Sequence, residues 1–254
     1  MPDPVLETRD LTIRFGGHVA VDRVSCAFLP GELTAIVGPN GAGKTTYFNI
    51  ISGQLPATEG AVLLRGEDIT RLPASERTRR GIGRAFQLTN LFPALSVFEN
   101  VRLAVQAKAG RGMRFLSMAS SHRSLAARAE AVLEEVRLTR LAGQPVSALS
   151  HGDQRKLEVA LLIALEPSVY MFDEPTAGMS VDEAPVVLDL IARLKAEGGH
   201  TILLVEHKLG VIRSLADRII VLHNGALAAD GPPAEVMAST VVQEAYLGQE
   251  LADV

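Results

Sequence analysis

The residues from Gly38 to Thr46 read GPNGAGKTT and fit the spacing G-x-x-x-x-G-K-[ST] where a strand pattern ends and a helical one starts. Gly38, Gly41 and Gly43 allow the chain through Pro39, Asn40 and Ala42 to curl, so that successive backbone N–H groups as far as Thr46 face one phosphate chain. Lys44 supplies a point charge for the β and γ groups, and the Thr45 hydroxyl suits Mg²⁺. A phosphate cradle alone hydrolyses nothing. The chemistry also needs a carboxylate for the metal and a second group to orient the attacking water. Both types occur in VYMFDEP, where Asp173 ends an apolar run and Glu174 follows it. An acid buried there is costly unless it meets a cation. A third anion-directed feature is ALSHGDQ, in which Ser150 and Gly152 open a long amphipathic run with the orphan N–H groups of a helix start.

These groups need a scaffold, and the pattern around them describes one. Short β-branched runs bounded by glycine alternate with helical spacing, as in parallel sheets with crossover helices. Leu33 to Gly38, Val169 to Asp173, Thr201 to His207 and Arg218 to Gly225 predict strands, and Asp182 to Glu197 and His207 to Ala216 predict helices. The alternation in LETRDLTIRFGG and GAVLLRGEDI suits a more antiparallel flanking sheet. From about Asn90 to Ser147 the chain is Ala-rich and helical in pattern. The expected fold is α/β: a phosphate-loop core with a mainly parallel sheet, a flanking antiparallel β subdomain and an inserted helical subdomain. The expected division places the core and β subdomain at 1–89 and 155–230, the helical subdomain at 90–154, and a helical C-terminal extension at 231–254.

Composition narrows the function classes. With 254 residues, 47% of them apolar, the chain has enough for one generous core plus an insertion. A net charge of −4 lacks the positive excess on which nucleic-acid binders depend, so no nucleic-acid partner is expected. The one cysteine, Cys26, cannot form an internal disulfide, and MPDPVLETRD has neither the basic start nor the apolar core of an export signal. A reducing cytoplasmic setting follows as an expectation. Apolar stretches are interrupted well before the roughly 20 residues that cross a bilayer. Any membrane role would then come through a partner.

Taken in order, these segments resemble the ATP-binding subunits of ABC transporters over nearly the whole chain. The resemblance implies an ATPase that uses ATP and Mg²⁺. It matches Phe15 in RFGG to the aromatic that stacks on adenine, and His207 in VEHK to the histidine that contacts the γ-phosphate. It matches Gln87 in GRAFQ to the glutamine that lies at the metal and catalytic site and links nucleotide state to the membrane subunit. LSHGDQ matches the signature usually written LSGGQ. Two ATPase subunits in this family face each other head to tail, so Ser150 and Gly152 would hold the γ-phosphate bound by the loop of another chain. On this reading Lys44, Gln87, Glu174 and His207 are catalytic, and Thr45, Gln87 and Asp173 form the metal set.

The chain departs from the family pattern at His151 and Asp153 in the signature, and at Ser180, where the family carries aspartate. Asp153 would repel a phosphate unless it points away or pairs with Arg155 or Lys156, and Asp182 is a candidate substitute for the missing aspartate. Within the family, RFGGHVAVDRVS, GRAFQLTNLFPALSVFENV and EAYLG look most like the ATPase of branched-chain amino acid importers. That implies two membrane-spanning permease subunits, a second homologous ATPase or a self-copy, an indirect substrate-binding protein, and a place on the cytoplasmic face of the inner membrane. Urea or amide importers and the lipopolysaccharide exporter are the alternatives within transport. A soluble repair or translation ATPase fits less well, because the chain has one cassette, a short insertion and an acidic total. The run from Arg102 to Ala129 carries Arg102, Lys108, Arg111, Arg114, Arg123 and Arg128 without an acid, and RGMRFLSM within it is expected toward the membrane.

Overall fold

Every residue of Leu33–Val37, Val169–Asp173 and Thr201–Val205 is buried, as expected of strands covered on both faces. The computed structural model describes residues 2–85, 91–109 and 119–239, with the backbone alone for 119–122. In chain order its elements are β1 (Leu6–Phe15), β2 (His18–Phe28), β3 (Leu33–Val37), α1 (Lys44–Ser52), β4 (Glu59–Leu64), β5 (Glu67–Asp68), α2 (Ala74–Arg79) and β6 (Ile82–Ala85). There follow α3 (Val97–Lys108), α4 (Ala119–Glu135), α5 (His151–Leu165), β7 (Val169–Asp173), α6 (Ala184–Glu197), β8 (Thr201–Val205), α7 (Leu209–Leu215), β9 (Arg218–His223), β10 (Ala226–Gly231) and α8 (Pro233–Met237). Among the described residues no helix is long and apolar enough to cross a membrane.

The chain forms two units, 1–82 with 168–174 and 195–254, and 83–167 with 175–194. The first unit holds one whole sheet and all but the last strand of the other. One is antiparallel with strand order β2-β1-β4-β5, and the other has the order β10-β9-β3-β8-β7-β6, its last strand carrying the chain onward into the second unit. The pairs β3/β8, β3/β9 and β7/β8 are parallel, while β10 returns antiparallel on β9. Side chains alternate across the parallel sheet: Ile36, Ile220 and Leu222 join a core with α1 and the antiparallel sheet, and Ala35, Ile219 and Val221 pack with Ile212 and Val236 on the other face.

Strand β8 stops at Val205 rather than His207, because Glu206 and His207 leave the ladder at the sheet edge that carries the site. The first turn of α6 is preceded by Ser180, whose carbonyl accepts the N–H groups of Glu183 and Ala184. In the second unit α3 packs on α4 and α5, and α5 runs unbroken through the division expected after Gln154.

One buried cation fastens the end of α1. Arg77 is 1% exposed, and its guanidinium donates to the carbonyls of Ile50, Ile51 and Thr70 at 2.7 Å and of Leu72 at 3.0 Å. Ile50 and Ile51 lie in the last turn of the helix, where a positive charge complements the dipole. Burial lowers the guanidinium pKa to about 10, against the opposing charge of Asp68. Arg77→Met is expected to cost roughly 3–5 kcal/mol, because it removes a buried charge that bonds four carbonyls, of which that of Ile50 keeps the Gly53 N–H. Denaturant melts check this, and Arg77→Lys should recover little, since a point charge cannot serve four acceptors.

Candidate functional site

The loop between β3 and α1 is shaped by its glycines. A Cβ on Gly38 would lie 2.1 Å from the Leu222 carbonyl oxygen, and one on Gly43, at φ 95°, would lie 2.4 Å from that of Ala20. Neither position admits a side chain. Gly43 is also the N-cap of α1 and provides no side-chain acceptor, and the first turn holds no acid. The helix therefore starts with N–H groups open to an anion. Lys44, 6% exposed, folds back on the same loop and donates to the carbonyls of Gly38 at 2.6 Å and Pro39 at 2.9 Å. Burial lowers its pKa, and the charges of Glu174 and Asp173 oppose that shift.

Gly43 and Lys44 line a cleft of about 370 Å³ that also takes in Asn40, Gly41, Ala42, Thr45, Thr46, Glu174 and His207. Asp173, 3% exposed, ends β7, and the next residue, Glu174, has φ 49°, a left-handed conformation that a non-glycine residue rarely adopts. That turn directs its carboxylate to His207, whose Nε2 lies 2.7 Å from Glu174 Oε1. The two residues stand at the ends of β7 and β8, adjacent parallel strands with Asp173 opposite Val205. At the far side of the cleft, Phe15 ends β1 and is 50% exposed, an aromatic face left open to solvent. His18 and Ala20 on β2 line the same wall. Sequence reasoning missed both, although the Gly16-Gly17 turn implied a hairpin that returns β2 beside Phe15.

The first unit thus gathers Phe15, the loop from Gly38 to Thr46, Asp173, Glu174 and His207. Ser150 and Gly152 belong to the second unit, where Ser150 caps α5 by accepting from the Asp153 N–H. Asp153 pairs with Lys156 at 2.9 Å, whereas Arg155 turns to Glu158. Ser180, which stands where the family carries aspartate, bonds through its N–H and hydroxyl to the Glu183 carboxylate. The S-x-x-E spacing of Ser180 and Glu183 could have revealed that pair. Gln87 and the segment RGMRFLSM lie outside the described residues.

Comparison with known proteins decides what the cleft belongs to. Residues 21–177 match the model of the ABC transporter family. The chain belongs to that family, as an ATP-binding cassette. Residues 227–252 also match a model described as the branched-chain amino acid ATP-binding cassette transporter. The cassette is 37% identical over 254 residues to the high-affinity branched-chain amino acid transport ATP-binding protein LivG of Escherichia coli, covering 98% of this chain and 100% of that one. Among solved structures, a nucleotide-free ATP-binding cassette from an ABC transporter superposes with a TM-score of 0.81 at 28% identity, over 96% of this chain and 99% of the other. A dimeric post-hydrolysis cassette bound to ADP and Pi gives 0.76 at 29% identity, over 90% and 98%. The cassette is therefore a nucleotide-binding ATPase subunit of the transporter class, with the two-sheet phosphate-loop fold.

Proposed function

We infer that this cassette hydrolyses ATP to energise an importer of branched-chain or other hydrophobic amino acids. The observation that carries this reading is the end-to-end likeness to LivG, reinforced by the separate match of residues 227–252. Its partners on this reading are two membrane-spanning permease subunits and a second cassette, either homologous or a copy of itself, with a substrate-binding protein acting indirectly. It works at the cytoplasmic face of the inner membrane. The dimeric neighbour supports the pairing of cassettes.

Within the site, the residues divide the work. Lys44 exchanges the carbonyls of Gly38 and Pro39 for the β- and γ-phosphates of ATP, while the open start of α1 receives their oxygens. Phe15 stacks on the adenine. The Thr45 hydroxyl and the Asp173 carboxylate are the oxygen donors that would hold a hard cation. That donor set fits Mg²⁺, which supplies charge neutralisation at the phosphates. Glu174 orients the attacking water and accepts its proton, and His207, already in contact with Glu174, reaches the γ-phosphate. Gln87 links this chemistry to the permease.

The second unit supports docking of such a partner. A pocket of about 160 Å³ is lined by Ala85, Leu91, Leu161, Leu162 and Leu165, with Arg84 and Glu158 at its polar side. Glu158 is 8% exposed, and its Oε1 accepts no hydrogen bond among the described residues. Burial raises the Glu158 pKa, against the pull of Arg155. A permease loop offering an apolar side chain beside a donor suits this pocket.

Affinity purification of the tagged cassette from native membranes tests the reading. Two permease subunits and a second cassette should copurify, and a purified branched-chain-amino-acid-binding protein loaded with leucine should stimulate ATPase activity of the reconstituted complex. Recovery of lipopolysaccharide-export membrane subunits, or stimulation by a urea-binding protein alone, would transfer the cassette to those alternatives.

A further inference from the structure

Gly152, in the first turn of the 15-residue helix α5, is buried. A Cβ placed on it would lie 2.1 Å from Oε1 of Glu183, 2.2 Å from its Cδ and 2.4 Å from its Oε2. The whole carboxyl group of Glu183 thus rests against the bare Cα of Gly152, beside the positive end of the α5 dipole. On its other side Glu183 Oε2 accepts from Oγ–H and N–H of Ser180, at 3.0 and 3.3 Å, in the turn that opens α6. One carboxylate therefore serves the starts of two helices in the same unit. Toward Ser180 it acts through hydrogen bonds, and toward α5 through contact and charge. The other acid at the start of α5, Asp153, is neutralised by Lys156. Glu183 is bound by a neutral hydroxyl and an amide, so it keeps its negative field.

We propose that Glu183 is a positioning residue that holds the anion place at the start of α5 until a second cassette presents its γ-phosphate there. The inference rests on the reading that two cassettes share each nucleotide. A phosphate arriving at Ser150 and Gly152 meets a like charge in contact with Gly152, and closure has to displace the carboxylate. Its departure breaks the bonds to Ser180 Oγ and N at the end of the segment Pro175–Ser180, which directly follows Glu174, while the Ser180 carbonyl keeps its bonds to the first turn of α6. Glu183 thereby sets how strongly ATP closes the pair and reports closure back to the loop behind the catalytic carboxylate.

Glu183→Gln keeps the shape and the Ser180 bonds while removing the charge, and it separates the two ideas in two measurements. First, ¹⁵N spectra of the single chain are titrated with inorganic phosphate. The Gly152 and Asp153 amides should saturate at about fivefold lower phosphate in Glu183→Gln than in the native chain, the size expected of one charge at a helix start, with the Gly43 and Lys44 amides unchanged. Second, in a Glu174→Gln background that retains ATP, the ATP-dependent dimer should form at lower protein concentration when Glu183→Gln is added. Glu183→Ala serves as the control: if the residue only caps α6, Ala weakens the dimer and Gln leaves both readouts unmoved, which overturns the proposal. Equal phosphate titrations with a normal ATP dimer sink the role of Glu183 and leave the shared site standing. A shifted titration with no self-dimer supports Glu183 and assigns the pairing to a different cassette.

Discussion

Glu174→Gln should lower steady-state ATP turnover by about 100- to 1,000-fold while leaving ATP affinity within about twofold, the usual span for loss of a general base. The geometry isolates the effect. Glu174 lies beyond the end of β7 in a left-handed conformation and meets His207 Nε2 at 2.7 Å, while it acts on Lys44 of the phosphate loop through charge alone. Glutamine preserves the size and a hydrogen bond to His207 but cannot accept a proton from water. Steady-state phosphate release and nucleotide titration measure the two quantities separately. Turnover at the native rate would assign the base to another residue. On the shared-site reading the same variant should prolong an ATP-held dimer, because hydrolysis would remove the bridging γ-phosphate.

Lys44→Ala should act on the other quantity and weaken ATP binding by about 100-fold, the loss expected when a buried ammonium no longer makes charge-assisted bonds to phosphate oxygens. Two effects add in the same direction. The ammonium now serving the carbonyls of Gly38 and Pro39 is lost. Asp173 and Glu174, whose charges favour the protonated lysine, are left facing the phosphates without it. Equilibrium binding of a fluorescent ATP analogue reads the affinity, and a melting curve without nucleotide reads the structural share. If the variant binds ATP normally and merely hydrolyses it slowly, the backbone cradle carries the binding and Lys44 acts only during turnover.

The two variants also mark the boundary between what was legible in the residues and what was not. The phosphate loop could be read directly because its demands are local: Gly38, Gly41 and Gly43 all take positive φ, and the run GPNGAGKTT displays those positions in order. The central strands were equally plain, since β3, β7 and β8 are buried on both faces and therefore read as unbroken apolar runs. Strand and helix ends shifted by a residue or two where side chains leave the ladder for the site, as Glu206 and His207 do. The antiparallel return of β10 had no comparable signal, because ALAADG holds no β-branched or aromatic residue and none of it is fully buried.

Contacts between distant residues belonged to the tertiary structure alone. Glu174 and His207 are 33 residues apart and meet because β7 and β8 lie side by side in parallel register. Arg77 stands among the arginines of SERTRR, where it reads as one more solvated charge, and only the approach of the α1 end and the turn at Thr70 buries it. Glu183 looks like an ordinary capping residue for α6 until Gly152, with no side chain of its own, is found beneath its carboxylate. Spacing along the chain records what one segment's backbone requires. It does not record which side chain another segment brings against it, and that choice fixes the local charge around every phosphate the cassette is built to hold.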